Sequence, residues 1–424
     1  MNATSFTANR ARLFAALLPG SIAVINANDI MPSNGDGTVT FRQNSDLYWL
    51  TGILQEETAL VLFPDHPEPA CREMLFVKHA DPDFVRWNGH RLSLEEAAAT
   101  SGVRNVYWSH ELWSRFYQAA VYAEHIYLNS IEHPRSVNEV PTRDDRFVSW
   151  CQGKFRLHDY KRLAPILGRL RLVKSEEELT LMREACRISG LGFRRLLRFV
   201  RPGVREKQIA AELIHEYMQH DGDWAGYDPI IASGADSCIL HYTSNHKVCG
   251  EGALLLIDAA ASYRGYNADL TRTIPVNGRY TDRQRQVYAA VRTVQRELMK
   301  FARAGRLMRE INDYCRGLLL EQLRKLGLCS DAAVQEHGAA YWLDRYCYHD
   351  FGHFLGLDIH DTGNKYEPLP ENAVITIEPG IYIREEGIGV RIENNVQVVR
   401  DGTLDLMEDI PVEAEEIEAL MNGE

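Results

Sequence analysis

The chain has 424 residues, which is more than one ordinary domain contains and predicts two or three domains. Its composition, 45% hydrophobic and 25% charged, is that of a globular protein, and no apolar run approaches the about 18 residues that a membrane-spanning helix needs. The net charge of −12 argues against nucleic acid or an anionic membrane surface as a partner.

Cysteine usage and the N-terminal segment indicate the compartment. The eight cysteines include no CxxC pair, so we expect free thiols in a reducing environment and no zinc–thiolate site. The apolar stretch at 13–18 is too short for a secretory signal, and Pro19 and Gly20 end it. We therefore expect a cytoplasmic protein.

Residues 1–172 alternate strand-like and helix-like segments, which predicts an α/β domain. β-branched and apolar runs indicate strands at 20–28, 58–65 and 72–79, and helical patterns cover 93–102 and 109–122.

A second domain is predicted over 173–424. Ser175 followed by Glu178 forms a capping box that opens a long helix, and the Arg-Pro-Gly sequence at 201–203 ends it. Further helices are predicted at 205–219, from Thr281 onward and at 307–326, with strand pairs between and after them.

Four carboxylates and one imidazole near the C-terminal end of the chain indicate a metal site. Carboxylates in strand-like runs are costly to bury unless something pairs with them, and two divalent cations would balance four negative charges. Oxygen ligands favour Mn, Mg, Fe or Co, and one histidine shifts the choice toward a transition metal. The five residues are Asp258, Asp269, His353, Glu378 and Glu393.

The spacing of the first two carboxylates is compatible with a hairpin. If Asp258 and Asp269 face each other across antiparallel strands, the turn centres between Tyr263 and Arg264, beside Gly265. Directly opposed residues point to the same face of a sheet, so both carboxylates would reach the same ion or ions.

The same argument applies to the other two carboxylates. If Glu378 and Glu393 oppose each other, the turn centres between Glu385 and Glu386. The prediction is therefore two hairpins that each present two carboxylates to one metal centre.

Less specific interpretations exist for each residue alone. A single Asp at a strand end is usually a turn or cap residue, and a single Glu in an alternating strand usually faces solvent. The set is less easily explained in this way, because its carboxylates lie inside β-rich runs.

The histidine-rich stretch HDFGH does not match a zinc-protease helix. It has HxxxH spacing but is not HExxH, and Gly352 disfavours a zincin helix. Only His353 is needed as a ligand, which leaves His349 and His360 for acid–base or oxyanion roles.

Six longer motifs carry a resemblance to a known family. They are FRQNSDLYWLTG, CILHYTSN, DAAASYRGYNADLTRTIPVNG, HDFGHFLGLDIHD, ITIEPGIYI and GIGVRIENNV. Together they closely resemble the proline-specific metallopeptidases with the creatinase/methionine-aminopeptidase ("pita-bread") fold, and within it the aminopeptidase P group.

The resemblance implies an N-terminal creatinase-like α/β domain at 1–172, for oligomerisation and the active-site rim, and an α+β pita-bread metallopeptidase domain at 173–424. It implies hydrolysis of the Xaa-Pro bond at the N-terminus of peptides, two divalent ions with manganese expected, and a homodimer or homotetramer. Proline-containing peptides are the expected partners.

The resemblance also implies roles for the five ligands. Asp258 would bind one metal, Asp269 and Glu393 would bridge both, and His353 and Glu378 would bind the other.

Roles near the substrate follow in the same way. His360 would stabilise the tetrahedral intermediate, and Glu378 would transfer the proton. His241 and His349 would line the pocket for the scissile bond and the proline ring. Arg391 would orient a carboxylate, and Tyr382 would donate a hydrogen bond near the substrate.

Two further residues are implied in the N-terminal domain. Trp87 matches a residue that in the family can reach a neighbouring subunit's active site. Asp36 matches an acidic residue near the substrate amine.

Two alternatives remain open at this point. An Xaa-Pro dipeptidase would share all five ligands and differ in what closes the far side of the pocket. A non-catalytic binding module on the same fold would lack the metal ligands, all of which are present here.

Overall fold

The structure is a computed structural model that describes residues 1–79, 81–136 and 139–423. The chain divides into two units, Met1–Arg171 and Leu172–Glu424. Within the described ranges, none of the helices is long and apolar enough to cross a membrane.

The N-terminal unit is built on a six-stranded mixed sheet in the order β4-β3-β2-β1-β5-β6. Its central strand β1 pairs antiparallel with β2 and parallel with β5, and every residue of β1 and β2 is buried. The strands are β1 (Ser21–Asn26), β2 (Ala59–Leu62), β3 (Glu73–Val77), β4 (Asn105–Trp108), β5 (His125–Leu128) and β6 (Asp159–Arg162).

Helices cover this sheet and supply aromatic side chains to its core. Phe116 and Phe147 are buried among the aliphatic side chains of the central strands. The predicted strands and helices of this unit are confirmed. The helices are α1 (Ala3–Phe14), α2 (Ser45–Thr51), α3 (Pro82–Asn88), α4 (Leu94–Ser101), α5 (Leu112–Ala120), α6 (Arg143–Lys154) and α7 (Ala164–Leu172).

The C-terminal unit contains the long helices that the sequence predicted. Ser175 caps the first of them, and the Glu178 side chain completes the capping box by accepting a hydrogen bond from the Ser175 backbone N–H. Thr281 caps another of these helices. The helices are α8 (Glu176–Phe199), α9 (Glu206–Gln219), α10 (Asp282–Phe301), α11 (Met308–Lys325), α12 (Asp331–His337), α13 (Ala339–Tyr346) and α14 (Ala414–Asn422).

Short antiparallel ladders carry the carboxylates in this unit. One sheet has the order β12-β9-β8, a second β13-β16-β17, a third β11-β10-β7, and β14 pairs with β15. The strands are β7 (Asp223–Trp224), β8 (Ile230–Ser233), β9 (Leu254–Asp258), β10 (Ala261–Tyr263), β11 (Tyr266–Asn267), β12 (Thr271–Pro275), β13 (Val374–Ile377), β14 (Gly380–Ile383), β15 (Ile388–Arg391), β16 (Asn394–Val399) and β17 (Gly402–Asp405).

The register predicted for the first hairpin is wrong by two residues. Asp258 lies opposite Thr271, not opposite Asp269. The turn centres one residue later than expected, because Arg264 and Gly265 both adopt positive φ angles, of 48° and 83°. Such a pair makes a tight two-residue hairpin turn. A shift of two residues preserves the face of the sheet, so both carboxylates still point to the same side.

The register predicted for the second hairpin is confirmed. Ile383 pairs with Ile388 on one side of the carboxylates, and Ile377 pairs with Asn394 on the other. One register therefore runs through both ladders and places Glu378 opposite Glu393 where the ladders meet.

Candidate metal centre

Three of the five candidate ligands converge in the C-terminal unit. One ligand atom each from Asp269, His353 and Glu393 lies within 4.8 Å of the others. Asp269 precedes β12, Glu393 precedes β16, and His353 lies in the irregular segment between α13 and β13. These three side chains form a group that could hold a metal ion.

Asp269 is held in place by Asn395, which is fully buried. The Asn395 side chain accepts a hydrogen bond from the Asp269 backbone N–H over 2.9 Å and donates one to its carbonyl over 2.6 Å. The Oδ2 atom of Asp269 lies 3.3 Å from Nε2 of His353. Asn395 thus fixes the backbone from which this carboxylate reaches the centre.

The imidazole of His353 is oriented by backbone and hydroxyl groups. Its Nδ1 donates to the Phe354 carbonyl over 2.9 Å, and its backbone N–H donates to Thr376 Oγ1 over 2.9 Å. This leaves Nε2 facing the carboxylates. Burial disfavours the charged ring, but the hydrogen bond with Asp269 and the charge of Glu378 outweigh it and raise the pKa of His353 to about 9. The surrounding carboxylates therefore attract positive charge at Nε2, where a cation could replace the proton.

Glu393 supplies the strongest test of whether these residues fit a metal. Its side chain is 1% exposed, and Oε2 accepts a hydrogen bond from Thr271 Oγ1 over 2.6 Å. Its Oε1 is buried and has no hydrogen-bond partner among the described residues. Burial and the neighbouring carboxylates Asp269, Glu378 and Asp258 raise the pKa of Glu393 well above its ordinary value. A bound cation would satisfy this oxygen and offset that repulsion.

Glu378 lies beside the three-residue group. Its Oε1 is 3.7 Å from His353 Nε2, and its backbone N–H donates to the Phe351 carbonyl over 2.8 Å. Burial raises the pKa of Glu378 to about 7, against the opposing charges of His353 and Arg391. A carboxyl group with a pKa near neutrality can exchange a proton at physiological pH.

Asp258 reaches the same centre from the end of β9. Its Oδ2 accepts from Arg391 Nη2 over 2.7 Å, and its Oδ1 lies 2.7 Å from the Tyr227 hydroxyl. Burial raises the pKa of Asp258, and the charge of Arg391 opposes that effect. Three candidate ligands thus converge, and Asp258 and Glu378 border them. Carboxylates with one imidazole are a donor set for divalent cations, so these residues fit the metal that the sequence implied.

Tyr227 was missed by the sequence analysis. Its hydroxyl lies 2.7 Å from Oδ1 of Asp258 and 2.7 Å from Oδ1 of Asp269, so it connects the two carboxylates. It lies in an irregular stretch between β7 and β8, outside every motif, and no spacing relates it to the aspartates. Asn395 and Thr376 were also missed, although each lies two residues from a candidate ligand.

A directed chain of hydrogen bonds leads from this centre to His349. Burial and the charge of Arg391 lower the pKa of His349 to about 4, so the ring is neutral at pH 7. Its Nδ1 donates to the Asp350 carbonyl over 2.7 Å, and its Nε2 lies 2.8 Å from the Tyr382 hydroxyl. Tyr382 therefore donates to His349 and accepts from Arg391 Nη1 over 3.0 Å. Arg391 binds Asp258 at its other end.

The other four site residues predicted from the sequence are His360, His241, Asp36 and Trp87. The ring of His360 packs edge-on against that of His353, with 4.4 Å between their centroids. His241 is exposed in the irregular segment after β8. Asp36 is exposed in a loop of the N-terminal unit, and Trp87 is 84% exposed on α3 of that unit.

Comparison with known proteins defines the class. The model of metallopeptidase family M24 matches residues 180–400, and that of the aminopeptidase P N-terminal domain matches residues 6–127. The chain is 33% identical to the Xaa-Pro aminopeptidase of Haemophilus influenzae and 31% identical to that of Escherichia coli, over 98% of this chain and 97% of each relative. The chain belongs to metallopeptidase family M24, a family of hydrolases that implies a divalent metal.

Solved structures agree with this assignment. The chain matches a putative aminopeptidase P from Bacillus anthracis with a TM-score of 0.93 at 29% identity, covering 100% of this chain and 99% of that one. It matches Escherichia coli aminopeptidase P with a TM-score of 0.91 at 30% identity, covering 100% and 99%. The resemblance to aminopeptidase P and the two-domain fold predicted from it are confirmed.

Proposed function

We propose that this chain is an Xaa-Pro aminopeptidase, which releases the N-terminal residue from peptides that have proline in second position. The observation that carries the proposal is the convergent group of Asp269, His353 and Glu393, bordered by Glu378 and Asp258. The names of the relatives that align over 98% of the chain support it, and they disfavour the dipeptidase alternative.

We propose that two divalent ions bind here, with manganese as the expected metal. Asp258 would bind one ion, Asp269 and Glu393 would bridge the two, and His353 and Glu378 would bind the other. The orphaned Oε1 of Glu393 supports a cation at this centre, and the Tyr227 hydroxyl shows that the carboxylates of Asp258 and Asp269 lie close together. When bound, such ions lower the pKa of water and polarise a carbonyl oxygen.

The chain's own groups would then move the proton and stabilise charge. Glu378, whose pKa lies near 7, would take a proton from the attacking water and pass it to the proline nitrogen. His360, packed against the ligand His353, would donate to the oxyanion of the tetrahedral intermediate.

The substrate pocket would be lined by His241 and His349, with Tyr382 and Arg391 behind His349. An Xaa-Pro bond has no N–H to donate, and the ring fixes its φ angle, so recognition must rest on shape and on carbonyl contacts. The neutral ring of His349, held at both nitrogens, offers a rigid wall for this purpose. We propose that Asp36 contacts the substrate amine.

Peptide length separates the two proline-specific activities. We would load the purified chain with Mn²⁺ and compare hydrolysis of Gly-Pro with that of Gly-Pro peptides carrying further residues. An aminopeptidase cleaves the longer peptides at least as fast as the dipeptide. Cleavage of the dipeptide alone would establish a dipeptidase, and absence of bound metal with no rescue by Mn²⁺ would indicate a binding module.

We also propose that the chain forms a homodimer or homotetramer in the cytoplasm. Trp87 is 84% exposed, so its indole is accessible to a second copy of the chain, as the resemblance implies. The eight cysteines, none of them in a disulfide, agree with a reducing compartment. Light scattering of the wild type and of Trp87→Ala tests the association.

A further inference from the structure

Lys174 and Asp361 form an ion pair that the metal chemistry does not use. Lys174 Nζ lies 3.1 Å from Asp361 Oδ2, and each side chain is 1% exposed. A fully buried ion pair is weak as a source of stability, because the loss of hydration offsets the attraction between the charges. Its position therefore suggests a different role.

Asp361 closes the loop that carries two candidate site histidines. Its backbone N–H donates to the Phe354 carbonyl over 2.9 Å. The same carbonyl accepts the bond from His353 Nδ1 that turns Nε2 toward the carboxylates. His360 precedes Asp361 directly, and its ring packs against that of His353. Residues 353–361 are called the histidine loop below.

The pair is packed tightly against the histidine loop. A Cβ atom on Gly356 would lie 2.2 Å from Asp361 Oδ2 and 3.2 Å from Cε of Lys174, so only glycine fits there. Asn267, two residues before the ligand Asp269, donates from its side chain to the carbonyls of Gly356 and Leu357 over 3.1 and 2.9 Å. The loop is thereby tied to the strand segment that leads to Asp269.

Lys174 connects this loop to a rigid helix. It directly precedes Ser175, the capping residue of α8, and its backbone N–H donates to the Asn372 carbonyl over 3.0 Å. The ammonium group is thus held at a fixed point from which it can hold Asp361 in one position.

We propose that Lys174 is a positioning residue, which holds the histidine loop through Asp361 and so sets the orientation of His353 and His360. This inference rests on the proposed peptidase function for its kinetic consequence, and on the metal centre alone for its effect on metal affinity. Residues that orient a metal ligand typically change metal affinity or activity about 10–100-fold when they are lost.

The test uses the full-length Lys174→Met variant, which keeps the length of the side chain and removes its charge. We expect Mn²⁺ affinity, measured by equilibrium dialysis with the metal alone, to fall by about 10-fold or more. At saturating Mn²⁺ we expect kcat on a Gly-Pro peptide to fall by a similar factor while KM changes little, because His360 acts on the intermediate.

Two further variants separate positioning from stability. Leu319→Ala removes a buried side chain from α11 of the same unit and is the control for reduced stability. The double variant Lys174→Met with Asp361→Asn replaces the ion pair with a neutral pair. We expect it to recover the unfolding free energy that Lys174→Met loses, while kcat and Mn²⁺ affinity stay low.

The outcomes distinguish this inference from the proposed function. Recovery of kcat together with stability in the double variant, or wild-type Mn²⁺ affinity and kcat in Lys174→Met, would overturn the positioning role and leave the peptidase proposal intact. If the wild type cleaved no Xaa-Pro peptide but Lys174→Met still weakened Mn²⁺ binding, the positioning role would stand and the peptidase proposal would fail.

Discussion

Arg391 donates from Nη2 to Asp258 Oδ2 over 2.7 Å, and its side chain is buried to 4% exposure. The same guanidinium reaches the Tyr382 hydroxyl from Nη1 and Thr271 Oγ1 from Nε. The planar guanidinium of Arg391 therefore joins a candidate metal ligand to the chain of hydrogen bonds that ends at His349.

Replacing the Arg391 guanidinium with a single ammonium group should break the connection between Asp258 and Tyr382. In Arg391→Lys we expect kcat/KM on Gly-Pro peptides to fall by about 10–100-fold, because lysine cannot bind Asp258 and Tyr382 in the same geometry. Arg400→Lys is the control, since Arg400 is exposed and forms an ion pair with the exposed Glu371. Unchanged kcat/KM in Arg391→Lys would show that charge alone is required there.

The direction of the hydrogen bonds through Tyr382 leads to a second prediction. Tyr382→Phe removes the donor to His349 Nε2 and the acceptor for Arg391 while keeping the ring. We expect kcat to fall by about 10-fold with bound metal unchanged, measured by elemental analysis beside steady-state kinetics. Tyr288→Phe also loses one buried hydroxyl bond, to the Val412 carbonyl, and should keep wild-type kcat. Equal losses in both variants would indicate a general effect on packing.

The orphaned oxygen of Glu393 predicts opposite effects with and without metal. Glu393→Gln replaces a carboxyl group whose ionised form the folded protein disfavours, so we expect the metal-free protein to melt at a higher temperature near neutral pH. The stabilisation on adding Mn²⁺ should shrink, because a ligand is lost. Thermal unfolding in EDTA and in Mn²⁺ measures both effects. A glutamine variant that gained as much from Mn²⁺ as the wild type would remove Glu393 from the ligand set.

The N-terminal unit should show its own pH dependence through Asp144. Burial raises the pKa of this carboxyl to about 7, although Asn26 donates to it over 2.8 Å. The folded state thus binds the proton more tightly than the unfolded state, and stability falls as the pH rises from about 4 through about 7.

The loss across that window is on the order of 4 kcal/mol, at 1.36 kcal/mol per pKa unit. Asp144→Asn should abolish this pH-dependent loss of stability. The variant should therefore have a higher unfolding free energy than the wild type at pH 8 and the same unfolding free energy near pH 4. Urea denaturation at the two pH values measures this, and Asp83→Asn, at an exposed position of α3, is the control. A pH dependence unchanged by Asp144→Asn would place the proton elsewhere.

Local patterns were sufficient to predict most of the secondary structure, and they selected five candidate ligands of which the structure brings Asp269, His353 and Glu393 together. The capping box at Ser175 and the apolar spacing along α10, where Val287 and Val291 are fully buried, are read from neighbouring residues. The second hairpin was predicted in register because its turn lies midway between its two carboxylates. The first was not, since the positive φ angle of Arg264 gives no signal in the sequence.

Contacts between segments that lie far apart in the chain could not be predicted from the sequence. Tyr227 meets two aspartates that lie 31 and 42 residues away, and Lys174 meets Asp361 187 residues away. Nothing in the composition around either residue marks such a partner, because these contacts arise from the packing of strands and helices that are remote in the chain. Tyr227 and Lys174 were missed for this reason, whereas the five candidate ligands lie within the motifs.

Because carboxylates crowd around Glu393, we expect the binding of a metal ion to release protons. The pKa values of Glu378, Glu393 and His353 are all raised, so the metal-free centre holds protons at neutral pH that a cation must displace. The heat of binding in a calorimeter will therefore depend on the ionisation enthalpy of the buffer. Protons and metal therefore compete for the same side chains, so we expect metal affinity to fall as the pH is lowered.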